Sequence, residues 1–204
     1  MKYIIMCGGP QGHKPLWVVN RETLVGRTIR LLRENGIRDI AISSLNDWYL
    51  SFGVPVLKHD NPETWEGYRW LKCFYPMDEP VCYMFGDVYY SPDAIRKIVQ
   101  TETDDIEFFA SSKPFAAEYI KTWAEPFAFK VQNAERFFSC IAETERLEAE
   151  GKFRRPPISW ELWQVIKGTP LNKIDYTNYV SINDYTVDID TEQQAALLNV
   201  RGGL

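Results

Sequence analysis

The chain has 204 residues, of which 45% are hydrophobic and 25% charged, and its formal net charge is -5. That length and apolar content suit one substantial core in a single domain over 1–204, while the acidic balance excludes the basic face that general nucleic-acid binding requires. Four cysteines, Cys7, Cys73, Cys82 and Cys140, lie far apart without a Cys-x-x-Cys pair, which argues against a zinc cage or a disulfide scaffold.

Lys2–Met6 is a short, nearly all-apolar run, as expected of a strand buried on both faces. It reaches glycine too soon to serve as a signal sequence or a membrane span, so a cytoplasmic, non-membrane protein is expected. After the loop "CGGPQGHKPL", Leu24, Val25, Thr28, Leu31 and Leu32 recur at helical spacing, and Asn35-Gly36 stand where a helix ends. Residues 37–43 and 54–57 read as strands, 64–74 as a helix, and 81–85 as a second all-apolar strand. Ser91-Pro92 then supply an N-cap and a proline at the first helical position for a helix through Val99. Strand-helix alternation over this half predicts an α/β fold with a mainly parallel central sheet.

The second half is less regular. Strands are expected over 106–110 and 124–131, and helices over 134–150 and 159–166. A strand over 185–190 then leads to a final helix, which Thr191 and Gln194 open as a capping box. The closing Gly202-Gly203-Leu204 reads as a frayed tail.

In open α/β sheets ligands collect beyond the carboxyl ends of the strands, which selects the loops 7–14, 86–91 and 188–191. The first offers backbone N–H groups among small residues, with His13 and Lys14 beside them, and such a loop can cradle phosphates. It is neither a Walker A sequence nor a Gly-x-Gly-x-x-Gly fingerprint. The other two loops each place an aspartate at the end of an apolar strand, where an unpaired charge is costly to bury. Asp188 and Asp190 share one strand face, and Asp87 arrives from another strand. Such carboxylates suit Mg²⁺, which takes a few protein oxygens and completes its shell with water and phosphate.

The order "YIIMCGGP…KPL", "LVGRTIRLLRENGIRDIAIS", "CYMFGDVYYS" and "YTVDIDTEQQAALL" resembles the nucleotidyltransferases that join a nucleoside monophosphate to a sugar phosphate, alcohol phosphate or pterin phosphate, including molybdenum-cofactor guanylyltransferases. The resemblance implies a GT-A-like, Rossmann-like three-layer sandwich. It places Cys7 and Gly8 near the base, and Gly9, Gly12 and His13 near the phosphates of an NTP. It sets Gly67, in the segment Trp65-Glu66-Gly67-Tyr68, on a loop facing the base. It makes Asp87 and Asp190, with Asp188, the holders of Mg²⁺, with Lys14 and Asp87 as catalytic groups. The segment "AEPFAFKV" is similar to the family's acceptor-side strand, which nominates Trp123 and Glu125 for a phosphorylated small-molecule acceptor. Homo-oligomer formation is left open.

The glycine loop is compressed relative to the family's, which carries an arginine before its Pro-Lys; Lys14, with His13, is the candidate for that charge. Two alternatives stand beside the transferase: a GT-A-type glycosyltransferase using an NDP-sugar, and a nucleotide-binding remnant without turnover. Release of pyrophosphate from an NTP, as against NDP from an NDP-sugar, separates the two enzymes. Trp160 and Trp163 read as core, the run Lys152-Phe153-Arg154-Arg155 as a solvated loop, and His59 as lacking a partner.

Overall fold

The computed structural model describes residues 1–111 and 124–200. In chain order they form β1 (Lys2–Met6), the hairpin β2 (Val18–Val19) and β3 (Glu22–Thr23), α1 (Leu24–Glu34), β4 (Ile40–Ser43), β5 (Val56–Leu57), β6 (Val81–Phe85), β7 (Val88–Tyr89) and α2 (Pro92–Gln100). There follow β8 (Ile106–Ser111), β9 (Glu125–Val131), α3 (Ala134–Ala149), α4 (Ser159–Lys167), β10 (Val180–Ser181), β11 (Val187–Asp188) and α5 (Glu192–Val200). Trp123 and the tail 202–204 lie outside the described residues.

Seven strands make one sheet in the order β10-β8-β9-β6-β1-β4-β5. The block β6-β1-β4-β5 is parallel, as is β10 with β8, and β9 runs antiparallel to both neighbours. The two all-apolar runs, β1 and β6, are adjacent at its centre, as their lack of polar alternation predicts. Successive side chains of a strand point to opposite faces. Tyr3 and Ile5 of β1 accordingly pack on one face with Val25, Ile29, Ile95 and Ile98 of α1 and α2, whereas Ile4 and Met6 meet Phe137, Ile141, Trp160 and Trp163 of α3 and α4 on the other. The result is three layers, helices on both faces of a mainly parallel sheet, and each fully buried Ile or Leu contributes roughly 1.5–3 kcal/mol to holding them.

The helix starts follow the sequence signals. Thr23 caps α1 by accepting from the Gly26 N–H, and the Ser91 hydroxyl caps α2 by accepting from the Ala94 N–H at 2.8 Å. Thr191 and Gln194 exchange the two bonds of a capping box. At the other end of α2 the buried ammonium of Lys130, reaching across from β9, donates to the carbonyls of Ile98, Val99 and Thr101. Burial pulls its pKa down, and the helix carbonyls supply the partners that keep this cation inside.

Three elements differ from expectation. Residues 64–74 do not form a helix: both ends of the Asn61 side chain bond the Arg69 backbone, and Gly67 is packed against Pro62, so the segment folds into turns before a 3₁₀ turn at Trp70–Cys73. The strand expected at 37–43 begins at Ile40, because the Ile37 N–H returns to the Leu32 carbonyl and closes α1. Of 185–190 only β11 pairs, and it pairs with β7 in a separate two-stranded ribbon; Asp184 and Thr186 are taken up at the start of α2, where Ser91 bonds both. The hairpin β2-β3 was not foreseen; Asn20 and Arg21, both at positive φ, turn it.

Among the described residues no helix is long and apolar enough to cross a membrane.

Two substitutions test this construction. Lys130→Met leaves three carbonyls at the end of α2 without their donor, and should lower unfolding free energy by about 1–3 kcal/mol in urea denaturation. Gly86 sits where β6 leaves the sheet; a Cβ there would lie 2.5 Å from the Met6 carbonyl oxygen and 2.7 Å from the Cys7 Sγ. Gly86→Ala should therefore cost about 1–3 kcal/mol by overpacking, read in the same assay.

Candidate active site

The ends of β1 and β6 open side by side. Beyond β1 the chain turns through Gly9, at φ +101, and the Gly12 N–H closes the turn on the Gly9 carbonyl. The Gly12 carbonyl accepts from the buried hydroxyl of Tyr49. This tight loop delivers Lys14, on the 3₁₀ turn Lys14–Leu16, into the mouth of the sheet with only 8% of its surface exposed.

Beyond β6, Asp87 leads into β7, and the antiparallel register sets Asp188 opposite Val88. The Ile189 N–H donates to the Asp87 carbonyl at 2.9 Å, which extends that register by one more bond. Oxygens of Asp87, Asp188 and Asp190 consequently lie within 4.8 Å of one another. Lys14 joins them, with its Nζ 2.9 Å from Asp190 Oδ1 and 3.7 Å from Asp87 Oδ2. Burial works to lower the Lys14 pKa; the attraction of Asp87, the hydrogen bond to Asp190 and the charge of Asp188 outweigh it together and leave the pKa raised. Lys14 is therefore a fixed cation of the cluster. Three carboxylates at this spacing are a hard-oxygen donor set that could hold a divalent cation.

Glu125 enters from β9 beneath this group. It is fully buried, and its Oε2 accepts from the Asp188 N–H at 3.1 Å. It thus supports the backbone of the acidic cluster, and it is not among the lining residues of the two cavities beside that cluster.

Two cavities flank the cluster. One, of about 250 Å³, is lined by Gly8, Gly9, Gln11, Lys14, His59, Tyr68 and Asp87 among others. The second, of about 400 Å³, is lined by Asp87, Asp188, Asp190, Arg155, Trp160 and Tyr176 among others. Trp70, Phe85 and Asp87 border both, and so form the wall they share.

The expected nucleotide residues divide between cavity and scaffold. Gly8 and Gly9 line the first cavity; Cys7, Gly12 and Gly67 are not among its lining residues. Cys7 is 1% exposed and its N–H donates to the Ser43 carbonyl. His13 is exposed and meets the Trp17 ring edge-on, apart from the cavity. Trp65 and Tyr68 do face the cavity, on the loop named for a base contact. Two residues escaped the sequence reading. His59 has a partner, Glu63, with its Nε2 3.3 Å from Glu63 Oε1, and a side chain at Gly8 would strike its ring at 2.6 Å. Arg155 is exposed in its loop, as expected of that run, but its Nε also donates to the buried Glu161 at 2.7 Å, and it borders the second cavity. Neither pairing has a short-range sequence signal beyond the four-residue spacing of His59 and Glu63. Trp160 and Trp163 are core, 2% and 1% exposed.

No protein-family model matches the chain, and a search of curated proteins returns no match. Solved structures do. A 4-diphosphocytidyl-2C-methyl-D-erythritol synthase from Anaerococcus prevotii superposes with a TM-score of 0.61 at 12% identity, over 100% of this chain and 96% of that one. The CTP:phosphocholine cytidylyltransferase of Streptococcus pneumoniae gives 0.54 at 18%, over 98% of each chain. A Mycobacterium tuberculosis protein solved in complex with manganese gives 0.55 at 14%, over 98% and 97%. At these identities what is shared is architecture, and the chain has the α/β fold of solved nucleotidyltransferases.

Proposed function

We propose that the protein is a divalent-metal-dependent nucleotidyltransferase, moving a nucleoside monophosphate from an NTP to a phosphorylated small acceptor, a sugar phosphate or alcohol phosphate, with release of pyrophosphate. The observation that carries this reading is the meeting of two cavities at Asp87, inside a cluster of three carboxylates and an ammonium. A two-substrate transfer needs two pockets that open onto one charged centre. The fold shared with a cytidylyltransferase supports it, and a relative in fold that is solved with manganese supports a divalent ion.

In this reading the first cavity takes the NTP, with the backbone at Gly8 and Gly9 close to it and Trp65 and Tyr68 along its side. The second takes the acceptor. An oxygen of the acceptor phosphate attacks the α-phosphorus; the new P–O bond forms as the bond from the α-phosphorus to its bridging oxygen breaks, and pyrophosphate leaves with that electron pair. Asp87, Asp188 and Asp190 would hold Mg²⁺, which supplies charge neutralisation to the phosphates when bound. Lys14, fixed between Asp87 and Asp190 at the border of the first cavity, adds positive charge where the leaving group develops its own. Glu125 keeps the Asp188 backbone in register. Such a centre works by positioning and charge.

Asp87→Asn removes a charge at nearly constant shape. It should reduce pyrophosphate release by at least about 10²-fold while far-ultraviolet circular dichroism stays unchanged; retained turnover would overturn the reading. NDP release from an NDP-sugar, with none of pyrophosphate from NTPs, would replace it by the glycosyltransferase.

Lys14→Ala should lower kcat by about 10²-fold with a smaller change in KM for the NTP, measured by steady-state kinetics. A rise in KM alone would show that Lys14 only binds.

A further inference from the structure

Lys14 and a divalent ion draw on the same carboxylates. The lysine Nζ lies 2.9 Å from Asp190 Oδ1 and 3.7 Å from Asp87 Oδ2, and both aspartates belong to the group that could hold a metal. An ion bonded to Asp190 Oδ1 at ~2.1 Å would stand no farther than about 5 Å from that ammonium. The lysine has little room to withdraw. It is 8% exposed, and N–H bonds from Leu16 to the His13 carbonyl and from Trp17 to the Lys14 carbonyl, both 2.9 Å, close the turn that carries it. Pro15, next in that turn, rests against the residue before Asp87: a Cβ at Gly86 would meet the Pro15 ring at 3.1 Å. The backbone of Lys14 is thereby tied to the strand end that delivers Asp87.

Two cations this close repel, most strongly where little water screens them, and an oxygen that accepts from the ammonium is a poorer donor to a metal. Phosphate changes the balance. Lys14 lines the first cavity, so a polyphosphate there brings negative charge to the ammonium and further oxygen ligands to the ion at once. Resting on the reading above, in which the three aspartates hold a divalent ion, we infer that Lys14 sets the metal affinity of this centre. It keeps the nucleotide-free protein a weak divalent-ion binder, and the ion is held firmly only together with a polyphosphate in the first cavity. By linkage, the ion tightens the polyphosphate by the same factor.

Metal binding tests this without turnover. Mn²⁺ is titrated into the nucleotide-free full chain and read by loss of the free-ion electron paramagnetic resonance signal. Lys14→Met nearly keeps the length of the side chain and drops its charge; it should bind Mn²⁺ at least about tenfold more tightly than the unsubstituted protein. Lys14→Arg keeps the charge and should bind as weakly as the unsubstituted protein. Adding Asp87→Asn to Lys14→Met should remove the gain, which places the ion at the acidic cluster. Lys14→Gln takes the place of the methionine variant if that one does not fold. For the unsubstituted protein, Mn²⁺ and an NTP together, with each of the common NTPs in turn, should raise the melting temperature by more than the two separate shifts combined for at least one of them. Equal or weaker Mn²⁺ binding by the uncharged variant overturns the inference, as does a gain that survives Asp87→Asn, or additive shifts with every NTP. Tighter Mn²⁺ binding by Lys14→Met with no pyrophosphate from any NTP upholds the role of Lys14 and removes the transferase.

Discussion

Like charges brought within 4.8 Å repel, and the arrangement at the mouth of this sheet exists only because other parts of the fold hold them there. The ribbon of β7 and β11 sets Asp87 and Asp188 in register, the Glu125 carboxylate anchors the Asp188 amide from beneath, and Lys14 supplies an ammonium that two of the three aspartates share. Without the ribbon the register that sets Asp87 beside the two late aspartates is lost. The glycine loop takes its meaning from this constraint: its turn from Gly9 to Gly12 delivers Lys14, nearly buried, to the acidic cluster.

The shared wall organises the rest. Phe85 ends a central strand and, one residue past Gly86, Asp87 carries a carboxylate to the junction of the two cavities, so both belong to the wall these share with Trp70. Gly86 fits against the Met6 carbonyl and the Cys7 sulfur, which ties the loop after β6 to the loop after β1. A site built at the ends of two adjacent central strands inherits the rigidity of the core behind it.

The sheet centre, the N-cap of α2 and the terminal capping box could be read from the sequence because each rests on residues close together in the chain: two apolar runs, Ser91 with Ala94, Thr191 with Gln194. Asp87, Asp188 and Asp190 could be nominated because a charge at the end of an apolar strand has to go somewhere. What stayed hidden depends on tertiary partners. Residues 64–74 carry a helical pattern that the Asn61 side chain overrides; Glu125 looks like any strand carboxylate until β11 is laid over it; and the aromatic rings of the second cavity come from four separate places in the chain, so no spacing announces them.

The ribbon also ties the centre to a late and lightly packed part of the molecule. β11 and α5 bury a small satellite cluster, Val187, Ile189, Ala195 and Leu198 against Val19, Leu24 and Tyr89, separate from the two large clusters on the sheet faces. The contact from Lys14 to Asp190 spans 176 positions. Segments held by few apolar contacts open at lower free energy than the core they dock on. The charged centre can thus come apart by release of this segment alone while the seven-stranded sheet stays folded. During synthesis the order is reversed: the sheet has nearly all its strands before the two late aspartates leave the ribosome, so a chain can be folded well before it is complete as a catalyst.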